Sequence, residues 1–147
     1  MTIVRQATVA DLDALVPLFD AYRVFYKKSS DEIGARTFLE ARLIQNESIV
    51  YIAYDNDEPL GFTQLYPLFS STRMKRMWLL NDLFVTKRAR GRGISKQLID
   101  AAKALAIESN ACGVSLETEK SNMIGNQLYP HTGFELDNDH NFYFWSV

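Results

Sequence analysis

The residues best placed to do chemistry are Arg88-Ala89-Arg90-Gly91-Arg92-Gly93, which follow the apolar run Met77 to Val85 and precede a helical pattern from Ile94. Gly91 and Gly93 can take positive φ and let backbone amides approach a ligand closely. The amides beyond them open a helix, so they have no intrahelical acceptor and sit at the positive end of its dipole. With Arg88, Arg90 and Arg92 alongside, these donors suit a phosphate, and a pyrophosphate in particular. Other phosphate-binding patterns fit less well. The spacing G-x-G-x-x-G needs a third glycine where Lys96 stands, and G-x-x-x-x-G-K-[ST] is absent. Arg-Gly pairs that bind RNA belong to disordered repeats rather than to the start of a helix. A tight turn with solvated arginines is the remaining structural reading of the segment.

Asn81 and Asp82 interrupt the apolar run just upstream, and two polar residues in a nearly buried strand require a reason. Metal chemistry is not expected. Cys112 is the lone cysteine, so no internal disulfide can form, and with only His131 and His140 elsewhere no Cys/His spacing suits zinc. Cys112 itself reads as a small buried hydrophobe before a strand.

The elements that must position these residues form one mixed α/β domain over 1–147. A chain of 147 residues with 47% apolar residues fits a single compact core. Lys plus Arg number 16 against 18 Asp plus Glu, a net charge of -2, so no nucleic-acid or membrane partner is expected. No apolar run approaches the ~20 residues of a membrane span, and Met1 to Gln6 do not resemble a signal peptide. A cytoplasmic protein is the expectation.

Ile3 to Ala7 read as a strand, and Thr8 with Asp11 form the capping pattern of a helix that starts near Ala10. Leu12, Leu15, Val16, Phe19 and Tyr22 follow helical spacing, and Phe38, Leu39, Leu43 and Ile44 mark a second helix after the polar loop Lys27 to Asp31. Ile49 to Tyr54 and Leu60 to Leu68 flank the turn Asp55-Asn56-Asp57 as a hairpin. Met77 to Val85, a helix from Ile94 to Ser109 and strand Gly113 to Thr118 make a right-handed crossover, so the two strands should be parallel neighbours. Ligands favour the carboxyl ends of such strands. A short helix at Met123 to Pro130, a turn at Thr132-Gly133, and strands Phe134 to Leu136 and Asn141 to Val147 complete the reading.

Arg88-x-x-Gly91-x-Gly93 after a strand resembles the [R/Q]-x-x-G-x-[G/A] loop of the GNAT superfamily of acyl-CoA-dependent N-acetyltransferases. Asn122 with Leu128-Tyr129-Pro130-His131-Thr132-Gly133-Phe134 is similar to its downstream N…L-Y-x-x-x-G-F segment. The element order also resembles that family, which implies a mixed central sheet of about six or seven strands flanked by about four helices. Leu80-Asn81-Asp82-Leu83-Phe84-Val85 looks most like the diamine and histone-type branches.

The resemblance implies acetyl-CoA as cosubstrate. Backbone groups of Leu83, Phe84 and Val85 would pair with the pantetheine arm. Arg88, Arg90, Gly91, Arg92, Gly93, Ile94 and Ser95 would hold the pyrophosphate, with Asn122 and Tyr129 near the reactive end. It further implies transfer of acetyl to a primary amine, on a small molecule, a polyamine or a lysine side chain of a peptide. The alternative is a non-catalytic CoA-binding sensor or interaction module.

Two roles stay open for Asp82: a base toward the ammonium, or an acid that caps a loop or pairs with a nearby arginine. Two stay open for Tyr129: the proton donor to the departing thiolate, or a core tyrosine of its helix. Substrate choice is expected in Tyr22, Tyr26, Asp31 and Glu32 and in Tyr66 to Arg73. As a strand, Phe142-Tyr143-Phe144-Trp145 would carry aromatic rings on both faces, more than one core face needs, and one side would then meet substrate or a second subunit in a homodimer.

Overall fold

The computed structural model describes every residue from Met1 to Val147. The chain divides into two compact units, Met1–Leu116 and Glu117–Val147. The first unit holds strand β1 (Thr2–Gln6), helices α1 (Leu12–Phe25) and α2 (Glu32–Ile44), strands β2 (Ile49–Asp55), β3 (Glu58–Ser70) and β4 (Lys75–Val85), helix α3 (Ile94–Glu108) and strand β5 (Val114–Ser115). Helix α4 (Met123–His131) belongs to the second unit. The Thr8 side chain accepts from the Ala10 amide while Asp11 takes the Thr8 amide in return, the reciprocal cap expected ahead of α1. Asn56 and Asp57 both have positive φ, 47° and 66°, which suits the two-residue turn of the β2–β3 hairpin.

The sheet order is β1-β2-β3-β4-β5, antiparallel except for the parallel pair β4–β5. Its faces are covered differently. Leu15, Val16, Phe19, Leu39, Ile52 and Phe62 form one core with α1 and α2, and Leu60, Val85, Ala89, Ile94 and Leu98 form another with α3.

The expected strand count is corrected to five strands, with four α-helices. Phe134 to Leu136 and Asn141 to Val147 are not strands. The Asp137 carboxylate instead accepts from the amides of Asp139 and His140, at 2.9 and 3.1 Å, and pairs with the His140 ring. This local turn occupies the connection between the two expected strands, and aromatic content alone does not make a strand without a paired neighbour. The strand expected over Gly113 to Thr118 pairs only at Val114 and Ser115. Cys112 is half-buried rather than a core residue.

Candidate functional site

Between β4 and α3 the chain is pinned at two points and open between them. Ala89 and Ile94 are buried against the α3 core, while Gly91, Arg92 and Gly93 are exposed. Gly91 and Gly93 have φ of +78° and +74°, and a Cβ built on either meets no atom within 4 Å. Gly93 is the N-cap of α3 and offers no side-chain cap to the first-turn amides. The loop therefore presents backbone donors at a positive helix end with nothing bulky over them, the environment a phosphate requires. The three arginines are held in place: Arg88 pairs with Glu58, Arg92 reaches Asp55 at 2.5 Å, and Arg90 Nε donates to the Val85 carbonyl at 3.2 Å. The first two are exposed ion pairs, which are weak in water and can be exchanged for phosphate oxygens.

One edge of β4 is open along its carboxyl half. Leu83, Phe84 and Val85 pair with Thr63, Phe62 and Gly61 of β3, but on the other side β5 pairs only with Trp78 and Leu79. From Leu80 to Val85 no strand pairs the β5 side; the Asn81 carbonyl accepts from Tyr22 Oη at 3.3 Å and the Val85 carbonyl from Arg90 Nε, and the backbone amides of that side are available to an extended ligand.

Asp82 owes its direction to a β-bulge. Gln64 pairs with Asp82 and Leu65 with Leu80, so Asn81 is an extra residue in β4. Strict alternation would put Leu80 and Asp82 on one face. The extra residue turns Leu80 to the α3 side with its partner Leu65 and Asp82, with Gln64, to the α1–α2 side. There the Asp82 carboxylate is 3% exposed; Oδ2 accepts from Gln64 Nε2 at 2.6 Å and Oδ1 from Asn81 Nδ2 at 2.9 Å. Burial pushes its pKa up, and hydrogen bonds from Gln64, Asn81 and Tyr22 oppose the rise. No arginine bonds to it, so its partners are amides and a phenol rather than the cation that the alternative reading supplies. Gln64 is fully buried, and its Oε1 has no hydrogen-bond partner.

A cavity of about 420 Å³ lies on this side of the sheet, lined by Asp82 and Asn81 with residues of α1, α2 and β3. Of the residues expected to select substrate, Tyr22, Asp31 and Tyr66 line it; Tyr26, Glu32 and the rest of the expected range, Pro67 to Arg73, do not. Burial, and next the Asp82 charge, pushes the Tyr66 phenol well above its ordinary range, so it stays a neutral hydroxyl. The loop between α1 and α2 is tied to the buried Asp20, which accepts from Ser30 Oγ and the Asp31 amide, both at 2.7 Å. Ser30 first, then the Asp31 amide, hold the Asp20 carboxyl below its usual range.

In the second unit, Asn122 caps α4: its Oδ1 accepts from the Gly125 amide at 3.1 Å and its Nδ2 donates to Thr118 Oγ1 at 2.8 Å. The Tyr129 ring stands edge-on to Phe134, 5.9 Å between centroids.

Sequence reasoning does not single out Gln64, and it meets Phe19 and Phe38 only as helix periodicity. Gln64 carries a signal, being a polar residue inside the apolar strand Leu60 to Leu68. Phe19 and Phe38 carry none, because their spacing is that of ordinary core residues.

The chain matches the Acetyltransferase (GNAT) family over residues 15–134, a span that crosses both units. It is 48% identical over 134 residues to the uncharacterized N-acetyltransferase YhfO of Bacillus subtilis, covering 91% of this chain and 90% of that protein. A probable acetyltransferase of Haemophilus influenzae is 33% identical over 130 residues, 86% of each chain. The crystal structure of a probable acetyltransferase superposes with a TM-score of 0.94 at 39% identity, covering 99% of this chain and 97% of that one.

Proposed function

The chain belongs to the GNAT family of acetyltransferases, and from that premise we propose that it transfers acetyl from acetyl-CoA directly to a primary amine, the whole of 1–147 acting as one catalytic domain. The observation that carries this reading is the unpaired β4 edge, which runs from the glycine loop to a buried carboxylate beside a cavity.

In this reading the amides around Gly91, Gly93, Ile94 and Ser95 take the pyrophosphate, and Arg88, Arg90 and Arg92 neutralise it. Leu83, Phe84 and Val85 pair with the pantetheine amides, and the amine waits in the cavity. The ammonium gives one proton toward Asp82, the nitrogen attacks the acetyl carbon, and a C–N bond forms as the C–S bond breaks. The nitrogen's second proton leaves and the thiolate becomes a thiol, so the products are an amide, CoA and one released proton. Tyr129 is assigned on the family motif as the donor to the thiolate, and Asn122 orders the start of its helix.

Magnitudes rank these contributions. Aligning two reactants is worth roughly 7 to 11 kcal/mol, from effective molarities of about 10⁵ to 10⁸ M. Neutralising an amine of pKa ~10.4 at pH 7 costs about 4.6 kcal/mol. Proton transfer from a phenol of pKa ~10 to a thiolate of ~8.5 is uphill by roughly 2 kcal/mol, so Tyr129 acts chiefly through a hydrogen bond. Positioning therefore dominates, and Asp82 serves the deprotonation of the amine, which ranks second.

Thermal unfolding with acetyl-CoA, with NAD and ATP as controls, tests the reading before any acceptor is known. Ligand at 100 times Kd adds about 2.7 kcal/mol, a rise of several degrees in the midpoint. A shift selective for acetyl-CoA is expected; none at millimolar concentration would overturn the assignment of the glycine loop.

A further inference from the structure

We propose that the acceptor is a small primary amine with one positive charge and a flat apolar body, an aralkylamine, bound in the cavity between α1, α2 and β3–β4. The inference rests on the acetyl-transfer reading above and adds to it the substrate class.

Four aromatic side chains line the cavity: Phe19, Tyr22, Phe38 and Tyr66. Phe19 and Phe38 stack with centroids 5.9 Å apart and planes 10° from parallel, and Phe38 is still 40% exposed. Tyr22 stands edge-on to Phe62 and Phe84, so its ring is fixed by the core behind it. Rings held in this way form a wall for a second flat ring, which at Phe38 has to displace the Arg42 guanidinium, 4.7 Å from the Phe38 centroid. At about 420 Å³ the space is in the lower part of the range, roughly 300 to 1,000 Å³, for small-ligand sites.

Charge sets the number of cations. Three charged side chains line the cavity: Arg23, Asp31 and Asp82. Asp31 Oδ1 accepts from the Gly34 amide at 2.9 Å as the cap of α2, a bond that does not cancel its charge, so two acids and one arginine give the lining a formal charge of −1, the complement of one ammonium. The Asp82 carboxylate has about four acceptor positions; Gln64 Nε2 and Asn81 Nδ2 take two, and the one proton of Tyr22 Oη is shared with the Asn81 carbonyl at 3.3 Å, so at least one position remains for an ammonium N–H. A second cation on the same molecule would lie among the rings beside Arg23, whose Nη1 donates to the Ser29 carbonyl at 3.1 Å and which carries a like charge. Rings alone can hold either a cation or an apolar body; Arg23 decides for the apolar body.

The test measures thiol release with phenethylamine, spermidine, kanamycin and a lysine peptide, alongside calorimetry of acetyl-CoA and of phenethylamine on the wild type and on Phe38→Ala. Phenethylamine is expected to exceed each of the others at least tenfold in kcat/KM. Phe38→Ala should raise its KM tenfold or more and leave the Kd for acetyl-CoA unchanged, and Arg23→Ala should raise kcat/KM for spermidine. Preference for spermidine, kanamycin or the peptide overturns the substrate class and leaves acetyl transfer standing. Failure of acetyl-CoA to bind removes the acetyl-transfer reading instead, and phenethylamine binding, lost in Phe38→Ala, still decides the cavity. A protein that binds acetyl-CoA but neither binds nor acetylates phenethylamine refutes the inference.

Discussion

Gly93→Ala separates the two demands that the loop makes on its glycines. At φ +74° an alanine adopts the left-handed conformation at a cost of about 1 to 2 kcal/mol, and its Cβ meets no atom within 4 Å. The stability loss is therefore confined to the backbone. For a chain of this size each kcal/mol moves the midpoint by roughly 2 to 4 °C, so a fall of roughly 2 to 8 °C is expected. The methyl group enters open space over the loop, where the proposed function puts the phosphates. Loss of one charge-assisted hydrogen bond there, about 1.5 to 3 kcal/mol, weakens acetyl-CoA binding roughly 10- to 150-fold. Scanning calorimetry without ligand reads the first effect and titration calorimetry with acetyl-CoA reads the second. Gly113→Ala is the control, since Gly113 has equally open surroundings and no positive φ, and it should change neither. If Gly93→Ala loses stability but binds acetyl-CoA like the wild type, the loop does not hold the pyrophosphate.

Tyr129→Phe should lower turnover on the order of 10²-fold with little change in acetyl-CoA affinity; unchanged turnover removes the phenol from the mechanism. Asp82→Asn should abolish the acidic limb of the rate profile and also alter stability with a definite sign. Burial raises the folded pKa above the unfolded value, so the native state holds the proton more tightly, and the wild type loses stability as pH rises from about 4 through the folded pKa. The variant escapes that loss, so the gap in its favour should open with pH in thermal scans; a variant that is less stable only at high pH would mean that the carboxylate is net stabilising. Phe142, Tyr143, Phe144 and Trp145, each at least 81% exposed, are proposed to be covered by a second copy of the chain. Light scattering at micromolar concentration should give twice the mass of 16.8 kDa, and a monomer ends that proposal.

The elements legible in the sequence are those whose signal is local. The Thr8–Asp11 cap, the turn before β3, the glycines ahead of α3 and the parallel β4–β5 pair all follow from residues a few positions apart. The carboxyl-terminal strands fail because a run of aromatic residues describes a surface and not a partner, and the local bonds of Asp137 shape only the connection between them. Asn122 and Tyr129 can be found only through a family pattern, since a cap and a half-buried ring look alike in any helix. The aromatic wall is hidden for a related reason. Phe19 and Phe38 have core spacing, and only the packing of α2 on α1 leaves part of Phe38 facing a cavity.

A single inserted residue connects these failures to the chemistry. Read with period two, β4 puts Leu80 and Asp82 on one face, which makes Asp82 an unexplained acid in a core. Opposite Gln64 and Leu65, the extra Asn81 reverses that face, so the strand can bury Leu80 toward α3 and still aim a carboxylate toward α1 and α2. The same stretch begins where β5 stops pairing. A regular strand would supply either a continuous ladder with β5 or an alternating apolar face, and neither gives the meeting point proposed for acetyl donor and amine. The bulge costs the sheet its regularity at the place where proximity, worth roughly 7 to 11 kcal/mol, has most to gain.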